Sequence, residues 1–179
     1  KLEDKEEFLS FFFNKNDKYN CEVDFDKTEL AKYRNMIYYQ FYHNSKTFLI
    51  AAANLGRTKI VRLLLLNPET NVNQYDNDGN TALIHAIFND HFDIVRLLCE
   101  MRPDDIDINQ SNFTYQTPLT YAASLNRYRI LDYLLKHPNI DYQKSNIVRA
   151  LEEAIVARNL NIIDFLLANY SPKFVFQPN

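Results

Sequence analysis

The chain has 179 residues, 46% hydrophobic and 24% charged, the composition of a folded globular chain and not of a disordered or collagen-like one. A net charge of −3 and a pI of 5.8 supply no overall basic field, so no nucleic acid is expected as a partner. Cys21 and Cys99 lie 78 positions apart, which excludes a disulfide framework or a C-x-x-C metal clip, and no apolar run approaches the ~18 residues of a membrane span. The expectation is a chain without membrane insertion in a reducing, cytoplasmic compartment. It begins at Lys1 and reads as a piece of a longer or processed polypeptide.

In chain order, Phe8-Leu9-Ser10-Phe11-Phe12-Phe13 comes first and a polar loop follows it. Asp26 with Glu29 three positions on has the form of a capping box, and Leu30, Tyr33, Ile37, Tyr38 and Phe41 mark one face of a helix expected over about 28–42. Residues 1–45 therefore read as an N-terminal cap or a degenerate repeat. From there the chain repeats itself. Thr47-Phe48-Leu49-Ile50-Ala51-Ala52-Ala53 returns as Thr81-Ala82-Leu83-Ile84-His85-Ala86-Ile87, as Thr117-Pro118-Leu119-Thr120-Tyr121-Ala122-Ala123, and faintly as Arg149-Ala150-Leu151-Glu152-Glu153-Ala154-Ile155. The starts are 34, 36 and 32 residues apart.

Thirteen residues after each start stands a second apolar block, opened by Ile60, Ile94, Ile130 and Ile162. Each block pair predicts two short helices. The alanines of the first allow close approach, and the wide apolar face of the second requires neighbours on both sides. Gly56, Asp90, Asn126 and Asn159 stand where a left-handed turn is needed between the helices. Pro68, Pro103 and Pro138 stop the second helices, and Asn77-Asp78-Gly79 is a hairpin signal. The expected divisions are 46–76, 77–112, 113–144 and 145–179, the last being a fourth repeat with a C-terminal cap.

Asp76-x-x-Gly79-x-Thr81-x-Leu83-x-x-Ala86, with Ile94-Val95-x-Leu97-Leu98 and Ile106-Asp107-Ile108-Asn109, resembles the ankyrin repeat. The T-P-L-H-x-A signature of that family stands best as Thr117-Pro118-Leu119-Thr120-Tyr121-Ala122. The resemblance covers roughly residues 45–170 and implies an all-α helix-turn-helix solenoid with short hairpin connectors and terminal caps. Ile50, Ile84, Thr120 and Glu152 fill the signature's histidine position, so the usual hydrogen bonds of that imidazole are lost. The fourth repeat lacks both the Thr-Pro pair and the hairpin glycine.

No enzyme is expected. His43, His85, His91 and His137 occupy different repeat positions with no metal-ligand spacing, and no catalytic residue, metal or cofactor is assigned. His85 is expected as a partly buried, hydrogen-bonded residue and Cys99 as core. The pairs Asp104-Asp105 and Glu152-Glu153 read as solvated. Arg57, His91 and Arg127 form a row, with Lys59 and Arg129 nearby and Asp93 interrupting. That row either solvates the helix turns or meets an acidic partner.

In such an array the hairpin tips and inner-helix ends line a concave groove, where side chains are free to bind. The candidate partner-binding residues are Tyr75, Asn77, Asp78, Asn80, Phe88, Asn89, Phe113, Thr114, Tyr115, Gln116, Ser124 and Leu125. The expected function is that of a monomeric adaptor or scaffold binding a protein partner. The alternatives are a regulatory or targeting domain of a larger enzyme or channel, and a secreted microbial effector acting in the host cytosol.

Overall fold

Eight helices follow one another in the computed structural model, which describes residues 48–68, 70–142 and 147–170. They are α1 (Phe48–Asn54), α2 (Thr58–Leu65), α3 (Ala82–Phe88), α4 (Phe92–Met101), α5 (Pro118–Ser124), α6 (Tyr128–Leu135), α7 (Ile147–Val156) and α8 (Leu160–Tyr170). The expected N-terminal cap, its Asp26/Glu29 box and Cys21 lie outside the described residues. No strand occurs among those described, and the hairpin signal appears as one antiparallel bridge between Tyr75 and Thr81. The all-α solenoid is thus the observed fold.

Two layers arise from the two kinds of block. Helices α1, α3, α5 and α7 pack one on the next, while α2, α4 and α6 form a second row and α8 packs on α7. Ala52, Ala53, Ala86, Ala122, Ala123, Ala150 and Ala154 are completely buried, so the inner helices meet with little between their backbones. Ile94, Leu98, Ile130, Leu134, Ile162 and Leu166 are likewise inaccessible and fix the outer row to the inner one. Burial of each such side chain contributes about 1.5–3 kcal/mol.

Threonine starts two of the inner helices. The Thr81 hydroxyl accepts from the Ile84 N–H, and the Thr117 hydroxyl accepts from the Thr120 N–H. Thr120, at the signature's histidine position, accepts in turn from the Thr117 N–H at 2.7 Å and closes a capping box. Pro118 opens α5, where a missing N–H costs nothing. In the last repeat α7 runs for ten residues, against seven in each of the other inner helices.

The left-handed turn residues are Gly56, Asp90, Asn126 and Arg158, with φ between 58° and 70°. The expectation at Asn159 is corrected by one position. Spacings of 34, 36 and 32 residues carry the turn from 56 to 90, 126 and 158, and the tolerance of asparagine for this region misdirected the reading. Asn159 occupies the next position, which has its own use.

Asparagines sew the connectors together. Asn73 donates to the Asp105 carbonyl and accepts from the Asp107 N–H, and Asn109 repeats the pattern with the Asn139 carbonyl and the Asp141 N–H. These bonds join residues more than 29 positions apart and satisfy backbone groups that no strand ladder would reach.

Candidate functional site

The two described hairpin tips are built on an acidic or amide side chain that gathers the backbone ahead of it. One carboxylate oxygen of Asp76 accepts from the Asp78 and Asn80 N–H groups at 3.0 Å each, and the other accepts from His85 Nε2 at 2.8 Å. Burial alone would raise the Asp76 carboxyl. The bonds from His85, Asn80 and Asp78, with the charge of the ring, outweigh it and hold the group below its ordinary value. In the next tip Asn112 Oδ1 accepts from the Thr114 and Gln116 N–H groups, while its Nδ2 donates to the Tyr121 hydroxyl and to Asn80 Oδ1. The Phe113 N–H donates to the Asp78 carbonyl at 3.1 Å and joins one tip to the other.

Around this frame stand four exposed rings. Tyr75 is 49% exposed, Phe88 54%, Phe113 61% and Tyr115 75%. Tyr75 and Phe113 meet edge to face at 5.5 Å, and Phe88 meets Tyr121 in the same manner at 6.4 Å. Tyr115 has φ 60°, the left-handed corner that Gly79 fills one repeat earlier at φ 82°. Arg149 of α7 holds that corner by donating to the Tyr115 and Thr114 carbonyls, and Gln116 donates to Glu153 Oε1 at 2.8 Å. Burial pushes the Tyr121 phenol up; the Asn112 bond opposes this, and the charges of Asp78, Asp76 and Glu153 reinforce it.

The candidates therefore divide. Tyr75, Asn77, Asp78, Phe88, Phe113, Thr114 and Tyr115 are exposed, whereas Asn80, Asn89, Gln116, Ser124 and Leu125 are half-buried. Asn89 donates to Asn54 and to the His85 carbonyl, and the Ser124 hydroxyl donates to the Tyr121 carbonyl, so both serve the scaffold. Arg149 and Tyr121 belong to this face and are absent from the candidates read off the sequence. The period could have found them, because Tyr121 follows His85 by one repeat and Arg149 follows Thr117 by one.

The basic row has a structural use. His91 Nε2 donates to the Asn54 carbonyl at 3.3 Å, Arg127 to the Phe88 carbonyl and the Asp90 carboxylate, and Asn159 to the Ala123 and Ser124 carbonyls. Each residue thus caps the open C-terminus of the preceding inner helix. Lys59 is exposed, and the Arg129 guanidinium lies 3.9 Å above the Phe92 ring. On the outer row, edge-to-face pairs Phe92–Tyr133 at 5.6 Å and Tyr128–Phe165 at 5.1 Å link successive repeats.

Among the described residues no group of three or more His, Cys, Asp or Glu could hold a metal ion. Cys99 is buried, and desolvation, with the nearby Glu100 charge, pushes its thiol up to about 12, far from a reactive thiolate. No described helix is long and apolar enough to cross a membrane.

Residues 8–112 and 102–175 match the ankyrin repeat profile, in three copies. An ankyrin repeat protein of fowlpox virus, FPV014, is 37% identical over 91 residues, 51% of this chain and 20% of its own. Alpha-latrotoxin-Lg1a of Latrodectus geometricus is 31% identical over 54% of this chain and 7% of its own. The potassium channel AKT2/3 of Arabidopsis thaliana is 30% identical over 69% of this chain and 15% of its own. The chain thus spans a fifth or less of these relatives. The crystal structure of the ankyrin repeat protein EF0377 superposes with a TM-score of 0.59 at 32% identity, over 68% of this chain and 60% of that one. Ankyrin repeats are in general non-catalytic modules that bind other proteins, and this chain belongs to the ankyrin repeat family.

Proposed function

We propose that the chain is an adaptor or scaffold module that binds a protein partner across its hairpin tips and inner helices. The observation that carries the reading is the set of rings at Tyr75, Phe88, Phe113 and Tyr115, which stand on that one face about half or more exposed. Large aromatic side chains in contact with water are favoured anchors for a partner, and the exposed Asn77, Asp78 and Thr114 beside them supply polar selectivity. The module acts as a monomer in the cytoplasm, without nucleic acid or membrane insertion.

A second reading has one observation behind it. The relatives carry the matching segment as a small part of much longer chains, one of them a potassium channel. In that case the tips dock within the parent polypeptide, as a regulatory or targeting domain. A secreted effector acting in a host cytosol would use the same face.

Affinity capture from cell lysate with residues 1–179 as bait separates these readings. Phe88→Ala with Phe113→Ala removes two edge-to-face contacts, each worth about 0.5–1.5 kcal/mol, so the thermal midpoint should fall by only a few degrees. A partner held by the wild-type chain and lost by the folded variant is the expected result. Equal recovery by both would remove this face from the account.

A further inference from the structure

The ring pairs Phe92–Tyr133 and Tyr75–Phe113 have the same form and different surroundings. On the outer row Phe92 and Tyr133 meet edge to face at 5.6 Å and 84°, and the Arg129 guanidinium lies over the Phe92 ring, 3.9 Å from its centre. At the tips Tyr75 and Phe113 meet at 5.5 Å and 73°, both rings are exposed, and among the described residues no cation stands over either.

A carboxylate stands beside the open pair. The Phe113 N–H donates to the Asp78 carbonyl, and the Phe113 ring lies so close over Gly79 that a Cβ there would be 2.8 Å away. Asp78 is thereby fixed next to the rings through its own backbone and that of its neighbour. It is exposed, and its side chain makes no hydrogen bond or ion pair among the described residues. The field across this face is negative. Tyr121, lifted by burial against the Asn112 bond, is raised further by the charges of Asp78, Asp76 and Glu153. Asp76 is buried against His85, and Glu153 is engaged by Gln116 at 2.8 Å and by the Arg149 guanidinium at 3.8 Å. Arg149 itself donates to the Tyr115 and Thr114 carbonyls. Of the three carboxylates only Asp78 is exposed.

We infer that the tip face receives an arginine side chain of the protein partner, its guanidinium stacked on the Tyr75–Phe113 pair and bonded to the Asp78 carboxylate. This rests on the reading of the tips as the partner-binding face and names the chemistry of what they bind. A planar guanidinium lies flat on a ring while its edge N–H groups donate to a carboxylate in two bonds. The ammonium of lysine is a compact, more strongly hydrated charge and does neither as well. The contact of Arg129 with Phe92 supplies the stacking half of this arrangement within the molecule itself. An acidic segment would meet Asp78 as repulsion.

Panning a random peptide library displayed on phage against the 179-residue chain, followed by titration of the enriched peptides in solution, tests this. The enriched peptides should share an arginine, and its replacement by lysine should weaken binding by ~5-fold or more. Asp78→Asn, which removes no bond of the described fold, should weaken the same peptides by ~3–10-fold and reduce the salt dependence of their binding. Phe113→Leu, which keeps apolar bulk and removes the ring, should cost ~5-fold. Peptides that are lost by Phe88→Ala with Phe113→Ala, yet lack arginine or ignore Asp78→Asn, overturn the inference and leave the binding face in place. Peptides that bind this double variant as well as the wild-type chain remove the face itself. A library that yields no arginine-bearing binder also overturns the inference.

Discussion

The tips at 76–81 and 112–117 share one backbone and differ in chemistry. Asp76 and Asn112 each collect the N–H groups two and four residues ahead. The first then pairs with His85 and turns at Gly79; the second pairs with Tyr121 and turns at Tyr115. The scaffold therefore demands hydrogen-bond geometry at these positions and accepts either a carboxylate with an imidazole or an amide with a phenol to supply it. The corner residues teach a second lesson. A left-handed tyrosine costs about 1–2 kcal/mol that a glycine does not, so Tyr115 is tolerated by the fold without being required by it.

Exchange between the tips sharpens this comparison, and the largest effect belongs to Gly79. A Cβ placed there would meet the Phe113 backbone nitrogen at 2.7 Å and its ring at 2.8 Å. Gly79→Tyr should cost about 2–4 kcal/mol in urea unfolding, from backbone strain together with overlap. A loss below 1 kcal/mol would mean that the two corners are interchangeable.

Next comes the pair. Asp76→Ala leaves His85 and two N–H groups without their acceptor and should cost about 2–3 kcal/mol. Asp76→Asn with His85→Tyr should recover at least half of that, and their coupling is read from the double-mutant cycle. The folded Asp76 carboxyl lies below its ordinary 3.8, so the unfolded chain binds more protons across that interval. Its stabilising contribution is present above about pH 4 and is lost as pH falls through the folded value. The double variant should lack this component of the acid transition.

The smallest effect has the opposite sign. Tyr115→Gly should stabilise the chain by about 1 kcal/mol, because Arg149 holds the corner through carbonyl oxygens that glycine also possesses. Destabilisation would show that the Tyr115 ring, 75% exposed, still supports the fold.

The periodicity made the layers legible. Alanines in one block and Ile/Leu in the other reported directly on what each helix packs against, and the burial of Ala86, Ala122, Leu98 and Leu134 follows from that pattern. Less legible was the work of polar side chains that act across repeats. Arg127 and His91 read as surface charge because their acceptors, the Phe88 and Asn54 carbonyls, lie 39 and 37 positions away in sequence. Nor did the sequence disclose the reach of Asn73, Asn109 and Asn159 to backbone groups of neighbouring repeats. Nor does composition distinguish Asn89, spent on the scaffold, from Asn77, which is exposed.

The central claim is that the tip face, and not the outer row, meets the partner. A photo-crosslinking side chain at Tyr115 and another at Arg96, an exposed outer-row residue of α4, can be compared in the same lysate. The account predicts a discrete crosslinked species from Tyr115 and none from Arg96. A species formed from Arg96 alone would place the partner on the opposite layer and contradict it.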